Sequence, residues 1–255
     1  MQVWKSIVEW RRRREAIAQR TVGFVPTMGA LHPGHGSLVE RCRAENEVAV
    51  VSVFVNPTQF NDPKDLSRYP STLEHDLDML ESLGADDVIM PSKRELYPNG
   101  YLFRIEPESS GLTMEGLHRP GFLQGVLTIV MKLLNLVQAD RSYFGEKDFQ
   151  QLQAVTEMAR DFFLKTRIVP CTTVREASGL AMSSRNALLS AGAHATAPAL
   201  YRALTQASNC AEARSIMESS GFKVDYVEEH WGRRFAAAFL DGVRLIDNVP
   251  VKGED

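Results

Sequence analysis

The 255-residue chain has little of what would place it outside the ordinary globular class. Its three cysteines, Cys42, Cys171 and Cys210, are far apart and form neither a C-x-x-C pair nor an even-numbered framework. A disulfide scaffold is excluded and a reducing, cytoplasmic setting is expected. No segment reaches about 18 uninterrupted apolar residues, and the opening MQVWKSIVEWRRRREAIAQR lacks the apolar stretch of a signal peptide, so neither spanning nor export is expected. Charge of one sign is not in excess: 29 Lys and Arg against 32 Asp and Glu leave a formal net charge of −3. That is too little to drive association with nucleic acid or an anionic membrane. Repeats at solenoid periods are missing, and no G-x-S-x-G elbow surrounds a serine. What is present, 44% hydrophobic and 24% charged residues with 17 Gly and 12 Pro, suits a folded chain with a sizeable core and small-molecule partners.

Along the chain, Trp4, Ile7, Val8 and Ile17 recur near helical spacing with Arg11 to Arg14 between them, which reads as the wet face of a surface helix. The run from Thr21 to Thr27 predicts a strand, followed by the glycine-rich turn MGALHPGH and a helix. Glu47 to Val55, EVAVVSVFV, is too continuously apolar for a half-wet strand and fits one covered on both faces. Alternation continues through a helix from Ser71 to Leu83, the strand DDVIMP, a helix from Leu123 to Val137, a strand from Ser142 to Phe144, a helix from Asp148 to Leu164 and the strand RIVPCTTV. This predicts an α/β fold with a Rossmann-like doubly wound parallel sheet. After Cys171 the texture changes to an Ala-rich helical stretch from Ala191 to Ser208, a short helix, and two strand-like runs, FKVDYVEE and VRLIDNV. A smaller α+β domain is expected there, over residues 173–255 after a first domain of 1–172.

Four motifs fall where loops leave the carboxyl ends of strands, the place where such sheets collect ligands. In PTMGALHPGH, Gly29 and Gly34 allow main-chain N–H groups close to an anion, and His32 and His35 converge across the turn as donors to a phosphate. As bare spacing, H-x-x-H also fits surface or capping histidines, or half of a zinc site. In FVNPTQF, Asn56 and Gln59 offer amides suited to a small hydroxylated acid, though Asn-Pro is also an ordinary turn. In YFGEKDFQQL, Gly145 ends a strand, Lys147 is a point charge for phosphate, Asp148 is placed to cap a helix and Gln151 projects one turn in; surface charges on a capped helix fit equally. In GLAMSSRN, Ser183, Ser184 and Arg185 form a compact donor group that suits a phosphate clamp or a helix cap.

Taken in order, MGALHPGH, FVNPTQF, DLSRYP, HRPG, KLLNLVQ, FGEKDFQQ and GLAMSSRN, with VDYVEE and RLIDN beyond them, resemble the pantoate–β-alanine ligase family of H-x-G-H nucleotidyltransferases. The resemblance implies a two-step ligation. Pantoate attacks the α-phosphate of ATP to form an acyl-adenylate and pyrophosphate, and β-alanine then displaces AMP. It implies that Met28, Gly29, Ala30, Leu31, His32, Pro33, Gly34 and His35 line ATP, with His35 in the family's proton-donor position. It also implies that Gly145, Glu146, Lys147, Asp148, Val174, Met182, Ser183, Ser184 and Arg185 complete the nucleotide site and that Gln59 and Gln151 hold pantoate. The resemblance further implies Mg²⁺ riding on the phosphate oxygens, a homodimer, and a C-terminal domain that acts as a lid hinged near Thr173 to Ser178.

The chain departs from the family pattern where RPGHF becomes Arg119-Pro120-Gly121-Phe122-Leu123, where Ser178 replaces the Asp before GLA, and in a shortened stretch between Val227 and Leu245. A nucleotidyltransferase acting on another acid and a noncatalytic nucleotide-binding module remain as alternatives to the ligase.

Overall fold

The structure, a computed structural model, describes residues 1–61, 63–108 and 113–251. Residues 252–255 of the expected second domain therefore lie outside the described residues. The chain groups into two compact units, one of Met1–Glu146 with Gln150–Cys171 and one of Thr172–Asp255 with Lys147–Phe149.

The first unit opens with β1 (Gln2–Trp4), α1 (Ile7–Ala16), β2 (Val22–Thr27), α2 (Pro33–Glu45) and β3 (Val48–Val53). It continues through α3 (Pro63–Arg68), α4 (Leu73–Ser82), β4 (Asp87–Ile89), α5 (Lys93–Leu96), α6 (Met114–His118), α7 (Phe122–Val137), β5 (Arg141–Gly145), α8 (Phe149–Asp161) and β6 (Arg167–Cys171). All neighbouring strands run parallel in the order β1-β4-β3-β2-β5-β6. From β2 the chain winds outward through β3 and β4, then returns by α7 to β5 on the other side, so the winding reverses between β2 and β5. The crevice at the carboxyl ends of those two strands is the switch point where such sheets bind ligands. β2 and β3 are buried almost throughout, which explains why they read as continuous apolar runs.

α7 crosses close to the chain after β3, because Gly125 has no side chain to strike the Thr58 carbonyl; an alanine Cβ would collide with it.

Two local readings change. Trp4 lies in β1, an edge strand too short to carry a pattern, and its Nε1 donates to Asp87 Oδ1 at 2.7 Å. The arginine run is not only a wet face: Arg13 pairs with Asp87 at 3.0 Å, and Arg14 donates to the carbonyls of Val137 and Gln138, tying α1 to β4 and to the end of α7.

The second unit contains α9 (Ala191–Thr196), α10 (Ala199–Gln206), α11 (Cys210–Ser219), β7 (Lys223–His230), β8 (Arg233–Leu240) and β9 (Val243–Pro250). Its strands form an antiparallel sheet in the order β7-β8-β9, over a core that includes Leu200, Leu204, Met217, Phe222, Ala236 and Ala238. The Ala-rich stretch is two helices rather than one, because Pro198 has no N–H to continue the α9 ladder. The central strand β8, RRFAAAFL, was not expected: alanine is a poor strand former, but here Ala236, Ala237 and Ala238 are fully buried at the centre of the three-stranded sheet.

Candidate active site

The loop after β2 is held in an unusual conformation. Gly29 (φ +77°) and Ala30 (φ +50°) are both left-handed, which is cheap for glycine and costs an alanine about 1–2 kcal/mol. The compensation comes from Asp76 of α4, 1% exposed, whose carboxylate accepts from Ala30 N at 2.9 Å and Leu31 N at 2.8 Å. Thr72 Oγ1 supports the same carboxylate at 3.0 Å, and Thr27 Oγ1 accepts from Gly29 N. Asp76 was not among the expected site residues, since a carboxylate in an amphipathic helix looks like surface. Asp76→Asn leaves one acceptor for two amides and should cost about 1.5–3 kcal/mol of loop order. On the nucleotide role that the resemblance gives this loop, the expected result is a roughly tenfold or larger rise in the ATP KM; an unchanged KM would reject the role.

The loop delivers the chain into α2. His32 is the N-cap, extended at φ −141° and ψ 170°, with Nδ1 accepting from Gly34 N at 3.1 Å, and Pro33 follows at the first helical position. With Nδ1 accepting, the neutral ring carries its proton on Nε2, a tautomer assigned from this hydrogen bond. His35 stands one turn on, its N donating to His32 O at 2.8 Å and its ring centroid 4.1 Å from that of His32. Two half-buried imidazoles, tilted by 37° to one another, thus meet at the positive end of a helix, at the edge where β2 ends.

Beside this loop, Gln59 Nε2 lies 3.0 Å from Met28 Sδ. Asn56, 1% exposed, donates through Nδ2 to Gln59 Oε1 (2.9 Å) and Gly125 O (3.2 Å) and accepts through Oδ1 from Tyr97 Oη (2.9 Å) and Thr58 Oγ1 (3.0 Å). Its polar atoms are engaged within the protein, so it orients Gln59. Burial pushes the Tyr97 phenol above its ordinary range. Arg119 Nη2 donates to Gln59 O at 3.3 Å, while its guanidinium packs 3.7 Å from the Phe122 ring centroid and 3.3 Å from Glu115. Phe122 is therefore a platform for the arginine that holds the Gln59 carbonyl. Gln151 is half-buried on the first turn of α8.

In the second unit, Lys147, Ser183 and Arg185 line one hollow together with Asn186 and Arg244. Ser183 Oγ accepts from Arg185 N at 3.2 Å and caps the 3-10 turn Ser184–Leu188, so the capping role is present. Met182 N donates to Val174 O at 3.0 Å. Asp148 lies in the 3-10 turn that begins at Glu146 after Gly145, its carboxylate 3.8 Å from Lys147 Nζ. Ser178 Oγ accepts from Leu180 N at 3.4 Å. Arg244, bound to Asp225 at 2.9 Å, was missed because a lone arginine in a strand carries no signal of its own.

Burial pushes the Cys42 thiol up to about 12 and raises those of Cys171 and Cys210, which disfavours their thiolate forms. Among the described residues no group of three or more His, Cys, Asp or Glu is gathered as a metal cage.

His32 and His35, neighbours at the start of α2 beside the switch point of a doubly wound parallel sheet, mark an α/β protein with its ligand crevice at that end of the sheet. Comparison with known proteins narrows this. A profile of the Pantoate-beta-alanine ligase family matches residues 2–250, and the chain belongs to that family. It is 48% identical over 242 residues to a pantothenate synthetase of Bdellovibrio bacteriovorus, covering 95% of each chain. Identity is 45% over 249 residues to one of Legionella pneumophila, covering 97% of this chain and 99% of the relative. A crystal structure of pantoate-beta-alanine ligase from Francisella tularensis, complexed with beta-gamma ATP and beta-alanine, matches with a TM-score of 0.94 and 42% identity over 98% and 97% of the two chains. Pantothenate synthetase from Thermus thermophilus matches with a TM-score of 0.90 and 41% identity, over 99% and 100%.

Proposed function

We propose that the chain ligates pantoate to β-alanine in two steps driven by ATP. The pantoate carboxylate attacks the α-phosphate, the O–P bond to pyrophosphate breaks, and the amine of β-alanine then attacks the acyl carbon and releases AMP. The observation that carries this reading is the close His32–His35 ring pair at the start of α2, behind a loop fastened by Asp76. In the first step negative charge gathers on the leaving pyrophosphate, and preset N–H donors at a helix N-terminus stabilise it without reorganising.

In this reading His32 and His35 are those donors, and the main chain of Met28, Gly29, Ala30, Leu31, Pro33 and Gly34 follows the nucleotide. Gly145, Glu146, Asp148, Val174 and Met182 contact ATP, while Lys147, Ser183, Ser184 and Arg185 face phosphate. Gln59, oriented by Asn56, and Gln151 hold pantoate. Residues 1–172 thus serve nucleotide and pantoate, and 173–255 add phosphate donors. Mg²⁺ enters with ATP on its phosphate oxygens, a choice that suits an ion reluctant to dehydrate and a chain without a described acidic cage. The family resemblance supports a homodimer, and the free cysteines support a cytoplasmic setting.

The test is direct. Protein supplied with ATP, Mg²⁺, pantoate and β-alanine should release AMP and pyrophosphate together and yield a product with the mass of pantothenate. AMP release that ignores pantoate, or ATP left intact after long incubation, would reject the reading.

A further inference from the structure

We propose that Asn248 and Arg233 are positioning residues for Lys147, setting the main chain from which its ammonium reaches phosphate; this rests on the phosphate role given to Lys147 above. Asn248 lies in β9, 1% exposed, 101 residues from Lys147 in sequence. Its Nδ2 donates to Lys147 O at 2.9 Å, and its Oδ1 accepts from Arg233 Nε at 2.6 Å. The arginine can only donate and the carbonyl can only accept, so the amide has one orientation and cannot flip. Asn248 is fastened through its own main chain as well: its N donates to Asp247 Oδ1 at 2.8 Å, and its O accepts from Arg175 Nη2 at 3.4 Å.

Arg233 also grips the other end of the same short segment. Its guanidinium carbon lies 4.6 Å from the centroid of the Phe149 ring, which packs against Trp231 and Phe235. Lys147–Phe149 is therefore held by its first carbonyl and its last ring, both from the C-terminal strands, and it clusters with them rather than with the sheet it follows in sequence. A buried side-chain amide is costly unless both of its halves are bonded. Here one half is spent on orientation and the other on the main chain of a lysine that lines the hollow with Ser183 and Arg185. A lysine is a point charge on a flexible stem, so where its main chain sits decides what it can reach. Neither residue touches substrate in this proposal.

Asn248→Asp separates the two bonds. It keeps an oxygen for Arg233 and removes the donor to Lys147, setting a carboxylate oxygen against that carbonyl. Single-turnover pyrophosphate release would be measured for the natural protein, K147A, N248D and the double variant, with ATP and pantoate varied in turn. Adenylation by N248D should fall about tenfold with the pantoate KM unchanged, and adding N248D to K147A should cause no further loss. N248D at the natural rate beside a slow K147A overturns the proposal alone, as does an equal loss from N248D in both backgrounds. A K147A at full rate overturns the phosphate role of Lys147 and this proposal with it. Should N248D not fold, Arg233→Met, which keeps an alkyl stem over Phe149 but no donor for Asn248, goes through the same cycle with the same expected and overturning results.

Discussion

Replacing His35 with alanine should slow adenylate formation by about 10²-fold to 10³-fold. The size follows from where the ring sits: at the third position of α2, against the His32 ring, where the helix dipole and first-turn amides already favour an anion. Removing one preset donor from such a place is worth more than a hydrogen bond in water, because a preset donor needs no reorganisation as the charge develops. The scaffold should survive, since alanine is a better helix former than histidine and the His32 cap to Gly34 does not involve the lost ring. Rapid-quench measurement of pyrophosphate release in a single turnover isolates the step. A rate equal to that of the natural protein would remove His35 from the chemistry.

The largest expected effect on stability is at Arg175. Its guanidinium makes two bonds to Asp247, at 2.6 and 3.0 Å, while the aspartate side chain is only 2% exposed. Burial pushes the Asp247 carboxyl up, and Arg175 pulls against that rise. Arg175→Ala leaves a buried carboxylate without its partner, a change that costs about 3–5 kcal/mol. It also removes the stacking on Tyr201, 3.9 Å away, and the bond to Gly179 O. The pH dependence has a definite sign. A carboxyl whose folded pKa is raised contributes most when protonated, below its unfolded value, and loses that contribution as pH rises through the folded one. Without Arg175 the folded pKa climbs further, so the deficit of the variant should be greatest at neutral pH and shrink on acidification. Urea midpoints at neutral and mildly acidic pH would check this, with Asp247→Asn in the variant background expected to recover part of the loss. Equal midpoints, or a deficit that widens in acid, would contradict it.

How far the sequence was legible follows from the range over which each feature is encoded. MGALHPGH could be read because strand, glycines, imidazoles and helix lie within one short window. Asp76 could not: it serves Ala30 and Leu31 from 46 and 45 residues away, inside a helix whose other polar residues face outward. β8 was hidden because its alanines reflect a close-packed tertiary site rather than strand propensity. Arg119 and Phe122 could be seen as a departure from a pattern, but their stacking next to Gln59 is a fact of packing between α6, α7 and the turn after β3. The VRLIDNV run reads as a strand and belongs to the resemblance, but its buried Asp247 and Asn248 acquire meaning only from Arg175, Arg233 and Lys147, which lie elsewhere in the sequence.

The membership of Lys147–Phe149 in the C-terminal group makes the protein's modularity non-linear. A cut after Cys171 would yield a first fragment that still carries those three residues but has lost the Asn248 amide and the aromatic surface that receives Phe149. The complementary fragment would own a vacant berth for them. Dissection into autonomous pieces, domain grafting and circular permutation of this scaffold all have to treat 147–149 as a tenon of the C-terminal piece that happens to be threaded through the N-terminal one.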